Sequence, residues 1–252
     1  MKSISKNLMQ KNQTIRASHR RGFTLVELLI VIAIIGVLAA LTVAALGGLG
    51  KRNKISRATA ELQQIETALE NYHAKYGIYP PGNQNPGALY PAPQSPAMLN
   101  QLYYELSGTS TPDNGTTFVT LGGSTAMQST TILGGSVNTA FGVGGFINCT
   151  KGGTEDTSAA KNFLLSLSTK QYYYPVTNNG IPTTILVTSV GGPDDNYTPL
   201  NASGLNPIRY AAPNPTNNNA GSYDLWVQLS ISGKKYLVCN WTKANPVNTP
   251  YP

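Results

Sequence analysis

The chain is poor in the residues that carry most enzyme chemistry. Its 252 residues hold two cysteines and two histidines, and charged side chains make up 12%. Two cysteines exclude a disulfide-rich scaffold, and no Cys-x-x-Cys or histidine cluster offers zinc a ligand set. His19 lies in the basic N-terminal segment, which leaves His73 alone in the rest of the chain. A catalytic triad or a histidine metal site then has no second member, and His73 reads as a surface or rim residue of its helix. There is no phosphate loop and no nucleophile–base pair. The expectation is a protein that is not an enzyme.

A basic nucleic-acid surface is also missing, although the formal net charge is +7. Residues 1–22 carry Lys2, Lys6, Lys11, Arg16, Arg20 and Arg21 with no acidic residue; without them 12 basic side chains face 11 acidic ones. From Ile78 onward seven basic residues meet seven acidic ones. The basic character belongs to a leader-like segment, and no nucleic-acid partner is expected.

What the chain does have is one long apolar run. From Leu28 to Gly50 there are 23 residues without a charge, more than the ~20 a helix needs to cross a bilayer core. One carboxylate, Glu27, stands at its edge, four residues after Phe23 and one helical turn away on the same face. A carboxylate in a first turn is favoured by the helix dipole, yet an ionisable group in a membrane segment is costly and therefore a functional suspect. Glu27 could pair with an amine at Phe23, within one helix or across to a neighbour. The plainer alternative is a snorkelling membrane edge.

Gly22-Phe23-Thr24-Leu25-Val26-Glu27 followed by an apolar helix resembles the processing site of type IV prepilins and type II secretion pseudopilins, most closely the major pseudopilin. The resemblance implies cleavage between Gly22 and Phe23 by an inner-membrane prepilin peptidase, N-methylation of Phe23, and an assembly role for Glu27 between subunits. It implies a leader over 1–22, a cytoplasmic N-terminus and a head exported to the periplasm. Ordinary secretory cleavage near Leu38–Ala45, or an uncleaved signal anchor, are the bland alternatives; a secretory apolar region is usually ~7–15 residues, shorter than this run.

Beyond Gly50 the pattern becomes amphipathic. Ile55, Ala58, Leu62, Ile65, Leu69, Tyr72 and Tyr76 recur every three or four residues, one stripe of a helix. Gly77 suits its C-cap and Pro80-Pro81 forbid continuation. An unbroken helix from Thr24 to Tyr76 would be about 80 Å long, with a bend or melting expected near Gly47–Gly50. Lys51, Arg52, Lys54 and Arg57 could touch phosphate headgroups or be a plain solvated face.

The head, 78–252, reads as α+β. A short helix is expected from Ser95-Pro96 through Leu106, closed by Gly108, and a second over Ala159–Leu167. Residues 107–157, rich in Gly, Ser, Thr and Asn, read as an irregular insertion with one or two strands, one at Thr117–Leu121. Thr183–Val190 is β-rich, and Asp224–Ser230 with Lys235–Trp241 flank a Ser232-Gly233 hairpin turn. Leu225, Val227 and Leu229 share one face, with Leu237, Cys239 and Trp241 alternating on the partner strand. Tyr76 to Pro80 and Ser222-Tyr223-Asp224-Leu225-Trp226 again resemble major pseudopilins.

Those relatives imply a calcium loop after the Tyr-Asp-Leu strand. Here it reads Ser230-Ile231-Ser232-Gly233-Lys234-Lys235, without a carboxylate, whereas Ca²⁺ wants six to eight oxygens. No cofactor is expected; Asp194 and Asp195 are weak candidate ligands, more simply a solvated turn. Cys149 and Cys239 could close a loop of about 90 residues, worth at most roughly 4–5 kcal/mol, or remain two buried thiols.

The expected whole is an α+β protein of the pilin type: a leader (1–22), a long helix (23–77, its transmembrane half about 24–50) and an exported head. It would polymerise with copies and other pilin-like subunits, handled by the prepilin peptidase, an inner-membrane assembly platform and lipid. A secretion pseudopilus is the first expectation, a type IV pilus subunit for adhesion, motility or DNA uptake the second. A membrane-anchored exported binding domain is the rival of another class.

Overall fold

In the computed structural model the described residues are 22–46, 49–84, 95–113, 115–121, 131–152, 159–192 and 205–244. The chain divides into two compact units, Met1–Leu49 and Gly50–Pro252. In the first, helix α1 spans Leu25–Leu46, and its side chains are described as far as Leu41. Among the described residues no helix is long and apolar enough to cross a membrane.

The second unit opens with helix α2, Leu49–Tyr76. Its expected stripe is the spine of the head: Ala58, Leu62, Ile65, Leu69 and Tyr72 are buried, and Ile55 and Tyr76 pack at its ends. Burying each of the larger side chains is worth about 1.5–3 kcal/mol, which is why the compact unit begins at Gly50 and not at Ile78. Gly77 ends α2 at φ +73°, its N–H bonded to His73 C=O at 2.8 Å. Gly47-Gly48, where a break was expected, lies outside the described residues.

The single helix expected at 95–106 is two: α3, Ser95–Met98, and α4, Leu102–Ser107. Asn100 separates them, its amide donating to Ala97 C=O and Ile208 C=O while its oxygen accepts from Leu102 N–H. That side chain substitutes for helical backbone bonds and ties the turn to the sheet.

The insertion is more ordered than its composition suggests. Strands β1 (Thr109–Thr111), β2 (Thr117–Thr120), β3 (Thr131–Leu133) and β4 (Cys149–Lys151) form a sheet ordered β3-β2-β1-β4, with helix α5, Gly134–Phe141, between β3 and β4. β1 and β4 run parallel and the other pairs antiparallel. β-Branched threonines supply the strand preference, and Phe118, Phe141, Phe146 and Tyr104 stack beneath.

No helix forms over Ala159–Leu167. The backbone there stays open because tertiary partners claim it: Ala160 N–H donates to Thr150 Oγ1, Lys161 N–H to Asn148 Oδ1 and Phe163 N–H to Leu106 C=O. A second sheet pairs β5, Tyr172–Asn178, with β6, Ile181–Leu186, through an Asn179-Gly180 turn with both residues at positive φ, the geometry of a type I′ hairpin.

The third sheet, β7-β8-β9, joins Arg209–Ala211, Asp224–Ile231 and Lys234–Cys239. The hairpin turns at Ser232-Gly233 as expected. Its register corrects the expected facing: Val227 opposes Val238 and Leu229 opposes Tyr236, whereas Leu237 and Cys239 oppose Gln228 and Trp226. Directly opposite residues share a face. The face toward the α2 core is therefore Leu225, Val227, Leu229, Tyr236 and Val238.

Candidate functional site

The N-terminal segment is built around one turn. Thr24 precedes α1 and Glu27 is its third residue. Thr24 Oγ1 accepts from Glu27 N–H at 3.2 Å; Glu27 Oε2 accepts from Thr24 N–H and from its hydroxyl, each at 2.8 Å. This reciprocal pair is a capping box. It satisfies donors that the helix start would leave open and sets a carboxylate at the positive end of the helix dipole. The Thr-x-x-Glu spacing could have revealed it in the sequence.

Phe23 lies just outside this turn, 81% exposed, and Gly22 is the first described residue. In the uncleaved chain both donors to Glu27 come from Thr24. Along the rest of α1 the apolar side chains face outward: Leu25, Val26, Leu28, Leu29, Ile32 and Leu41 are all more than half exposed.

Gly22, Phe23 and the capped Glu27 thus stand together at the start of an apolar helix, and residues 17–43 match the family model described as the prokaryotic N-terminal methylation motif. The chain carries a prokaryotic N-terminal methylation motif. Similarity continues past the motif. The type II secretion system core protein G of Escherichia coli (strain K12) is 39% identical over 79 residues, 31% of this chain and 54% of that protein. The type IV major pilin protein PilE of Neisseria gonorrhoeae is 38% identical over 68 residues, 27% of this chain and 41% of that protein. The protein G of Dickeya chrysanthemi is 38% identical over 77 residues, 31% of this chain and 50% of its own length. The chain spans about half the length of the curated relatives it matches, or less. No solved structure matches it. The resemblance to pseudopilins and type IV pilins holds over the N-terminal third, and these similarities support a pilin-like filament subunit.

In the head the structure gathers residues that the sequence left scattered. Glu105, on α4, is fully buried. Its Oε1 accepts from Ile147 N–H at 3.0 Å; its Oε2 accepts from Asn148 N–H at 3.0 Å and from the Tyr72 hydroxyl at 2.9 Å. Asn148, also fully buried, donates to Glu105 C=O and Lys161 C=O and accepts from Tyr76 Oη–H and Lys161 N–H. Burial pushes the Glu105 carboxyl above its ordinary range, partly offset by the three donors, and burial beside that carboxylate raises the Tyr72 phenol. The cluster ties α2, α4 and the 147–161 segment together; its chemistry is structural.

A second carboxylate does similar work near the start of α2. Glu61 accepts from Thr188 Oγ1 at 2.6 Å, from Ser189 N–H at 2.9 Å and from the Ser189 hydroxyl, with Arg57 Nε at 3.6 Å. The hydrogen-bond partners of Glu61 and Glu105 are 33–128 positions away, so no local sequence signal marks them.

The remaining candidates are dispersed. His73 stacks on Tyr79 with ring centroids 4.3 Å apart. Cys149 and Cys239 are free, half-buried thiols on different sheets; burial raises both above the usual thiol range. Asp194 and Asp195 lie outside the described residues. Among the described residues no three His, Cys, Asp or Glu side chains converge as a metal site.

Proposed function

We propose that this chain is the structural subunit of a pilus-like filament, most specifically a type II secretion pseudopilin that polymerises through its N-terminal helix to support protein export. The observation that carries the reading is the pairing of a methylation motif with a helix whose described apolar side chains are exposed. Exposed apolar surface on this scale needs lipid or other helices around it. In the proposed sequence the run over 24–50 first sits in the inner membrane with the leader cytoplasmic. The prepilin peptidase removes residues 1–22 and Phe23 is methylated. An assembly platform then moves the subunit into a helical bundle with copies and other pilin-like subunits.

Cleavage matters to the physics of Glu27. It exposes an amine at Phe23 beside the capping box. In a dry helix bundle both an unpaired amine and an unpaired carboxylate are penalised, so a neighbouring subunit that matches amine to carboxylate is favoured in register. The type IV pilus reading is kept by the similarity to PilE, and the two are separated by phenotype. Deletion that abolishes enzyme secretion while sparing surface fibres and twitching supports the pseudopilus; the reverse supports the pilus. The test of the shared reading is mass spectrometry of the mature N-terminus with and without the peptidase. It should begin at methylated Phe23 only when the peptidase is present, and an intact leader or a cut near Ala45 would sink the assignment.

A further inference from the structure

A cleft of about 580 Å³ opens beside the first turns of α2, between Asn53, Lys54, Ser56 and Arg57 on the helix and Ser189 and Gly191 on the segment after β6. We propose that this cleft binds the phosphate of an anionic lipid headgroup, an inference that rests on the membrane reading above.

Three observations carry it. The first is the electrostatics of the walls. Lys54 forms no ion pair among the described residues. Arg57 touches Glu61 only through Nε, and its side chain is 65% exposed against 11% for Glu61. No carboxylate lines the cleft among the described residues; Glu61, behind it, is committed to Thr188 and Ser189, so it fixes the far wall while Lys54 and the Arg57 fork remain available. The second is the mixture of donors: an ammonium, a guanidinium, a hydroxyl on Ser56 and an amide on Asn53 suit a tetrahedral oxyanion. Lys51 is held elsewhere, its ammonium 4.6 Å from the Tyr236 ring centre, which fixes the helix start against the β9 strand.

The third is position in the chain. The uncharged run ends at Gly50, and Lys54 and Arg57 follow it by four and seven residues. Basic residues that close to a membrane-embedded run are drawn to anionic headgroups, by about 1 kcal/mol each near the surface.

The test uses the full chain in a neutral detergent micelle, titrated with phosphatidylglycerol or phosphatidylcholine and read by native mass spectrometry as retained lipid. Phosphatidylglycerol should be retained preferentially. Lys54→Gln should weaken retention about fivefold, the loss expected for one cation near an anionic surface. The uncharged pair Asn53→Ala with Ser56→Ala should also weaken it, and Lys170→Gln, an exposed cation elsewhere, should not. Equal retention of the two lipids, or equal effects of Lys54→Gln and Lys170→Gln, overturns the proposal by showing diffuse attraction. Displacement by inorganic phosphate at equal concentration overturns the lipid assignment and gives the cleft to a free anion. Because binding is measured in micelles, it is decided separately from membrane insertion. Release of the chain from native membranes by alkaline carbonate would defeat the underlying reading without altering the lipid result.

Discussion

Removing the Tyr72 hydroxyl should cost more stability at alkaline pH than at acid pH. The hydroxyl donates to buried Glu105 at 2.9 Å, so Tyr72→Phe deletes one of three donors to a carboxyl whose ionisation burial already opposes. For the ionised group the lost bond is charge-assisted, about 1.5–3 kcal/mol; for the protonated group it is a neutral pair, about 0.5–1.5 kcal/mol. The sign follows from proton uptake. With its carboxyl raised, the folded state binds the Glu105 proton more tightly than the unfolded chain, whose Glu titrates near 4.3. This contribution is complete below that value and is lost as pH rises through the raised one. Tyr72→Phe removes a group that favours the charged form, so it pushes the carboxyl higher still and steepens the loss. For a unit of this size a kcal/mol moves the midpoint by about 2–4 °C. The variant should melt roughly 3–12 °C below wild type at pH 8 and about 1–6 °C below at pH 4, followed by near-ultraviolet circular dichroism of the full chain. Glu105→Gln should abolish the difference between the two pH values, though it puts an amide donor against donors and destabilises throughout. Equal shifts at both pH values in the Glu105 background would refute the coupling.

Three further outcomes follow from the geometry. Thr24→Ala removes half of the capping box and should lower α1 stability by about 0.5–2 kcal/mol, seen as faster amide exchange at residues 25–28, while Thr24→Ser should restore it. Gly108→Ala should destabilise the head by at least about 1 kcal/mol, because the residue sits at φ +73° and a Cβ would lie 2.9 Å from Lys161 C=O; unchanged denaturant midpoints would show that the junction yields. Reduction should leave the melting temperature of the protein unchanged, since Cys149 and Cys239 are separate thiols. A drop of several degrees on adding dithiothreitol would reveal a bridge.

The parts legible in the sequence are those set by local periodicity. The α2 stripe from Ile55 to Tyr76 fell on the buried face, and Ser232-Gly233 turned the hairpin, because a 3.6-residue repeat and a positive-φ turn are local properties. The Asn179-Gly180 hairpin was equally readable, its signal masked by the polar run around it. The helix expected over Ala159–Leu167 failed for a non-local reason: Asn148 and Leu106 bond its backbone where a helix would have bonded itself. The insertion's sheet was underestimated because a Gly-, Thr- and Asn-rich composition resembles a solvated loop. What decided otherwise was an aromatic stack in which Tyr104, on α4 just before the insertion, meets Phe146 and through it Phe118.

The same contrast separates the two carboxylates on which the proposals rest. Glu27 announces itself, as a lone acid at the edge of an apolar run with the Thr-x-x-Glu spacing of a capping box. Glu61 is one of several acids on a solvated-looking helix, and its one near neighbour, Arg57 at i−4, reads as an ordinary surface ion pair. Yet Glu61 fixes Thr188 and Ser189 beside α2 and so builds the far wall of the cationic cleft. Glu61→Gln would keep the size and one acceptor but place an amide against Ser189 N–H or its hydroxyl, leaving a donor facing a donor in a half-buried site. If the cleft depends on that wall, phosphatidylglycerol retention should fall in Glu61→Gln even though the substitution makes the surface more positive. Simple charge attraction predicts a rise. The direction of that one change therefore distinguishes a built site from a basic patch, and a rise would return the 51–57 cluster to an ordinary solvated helix face.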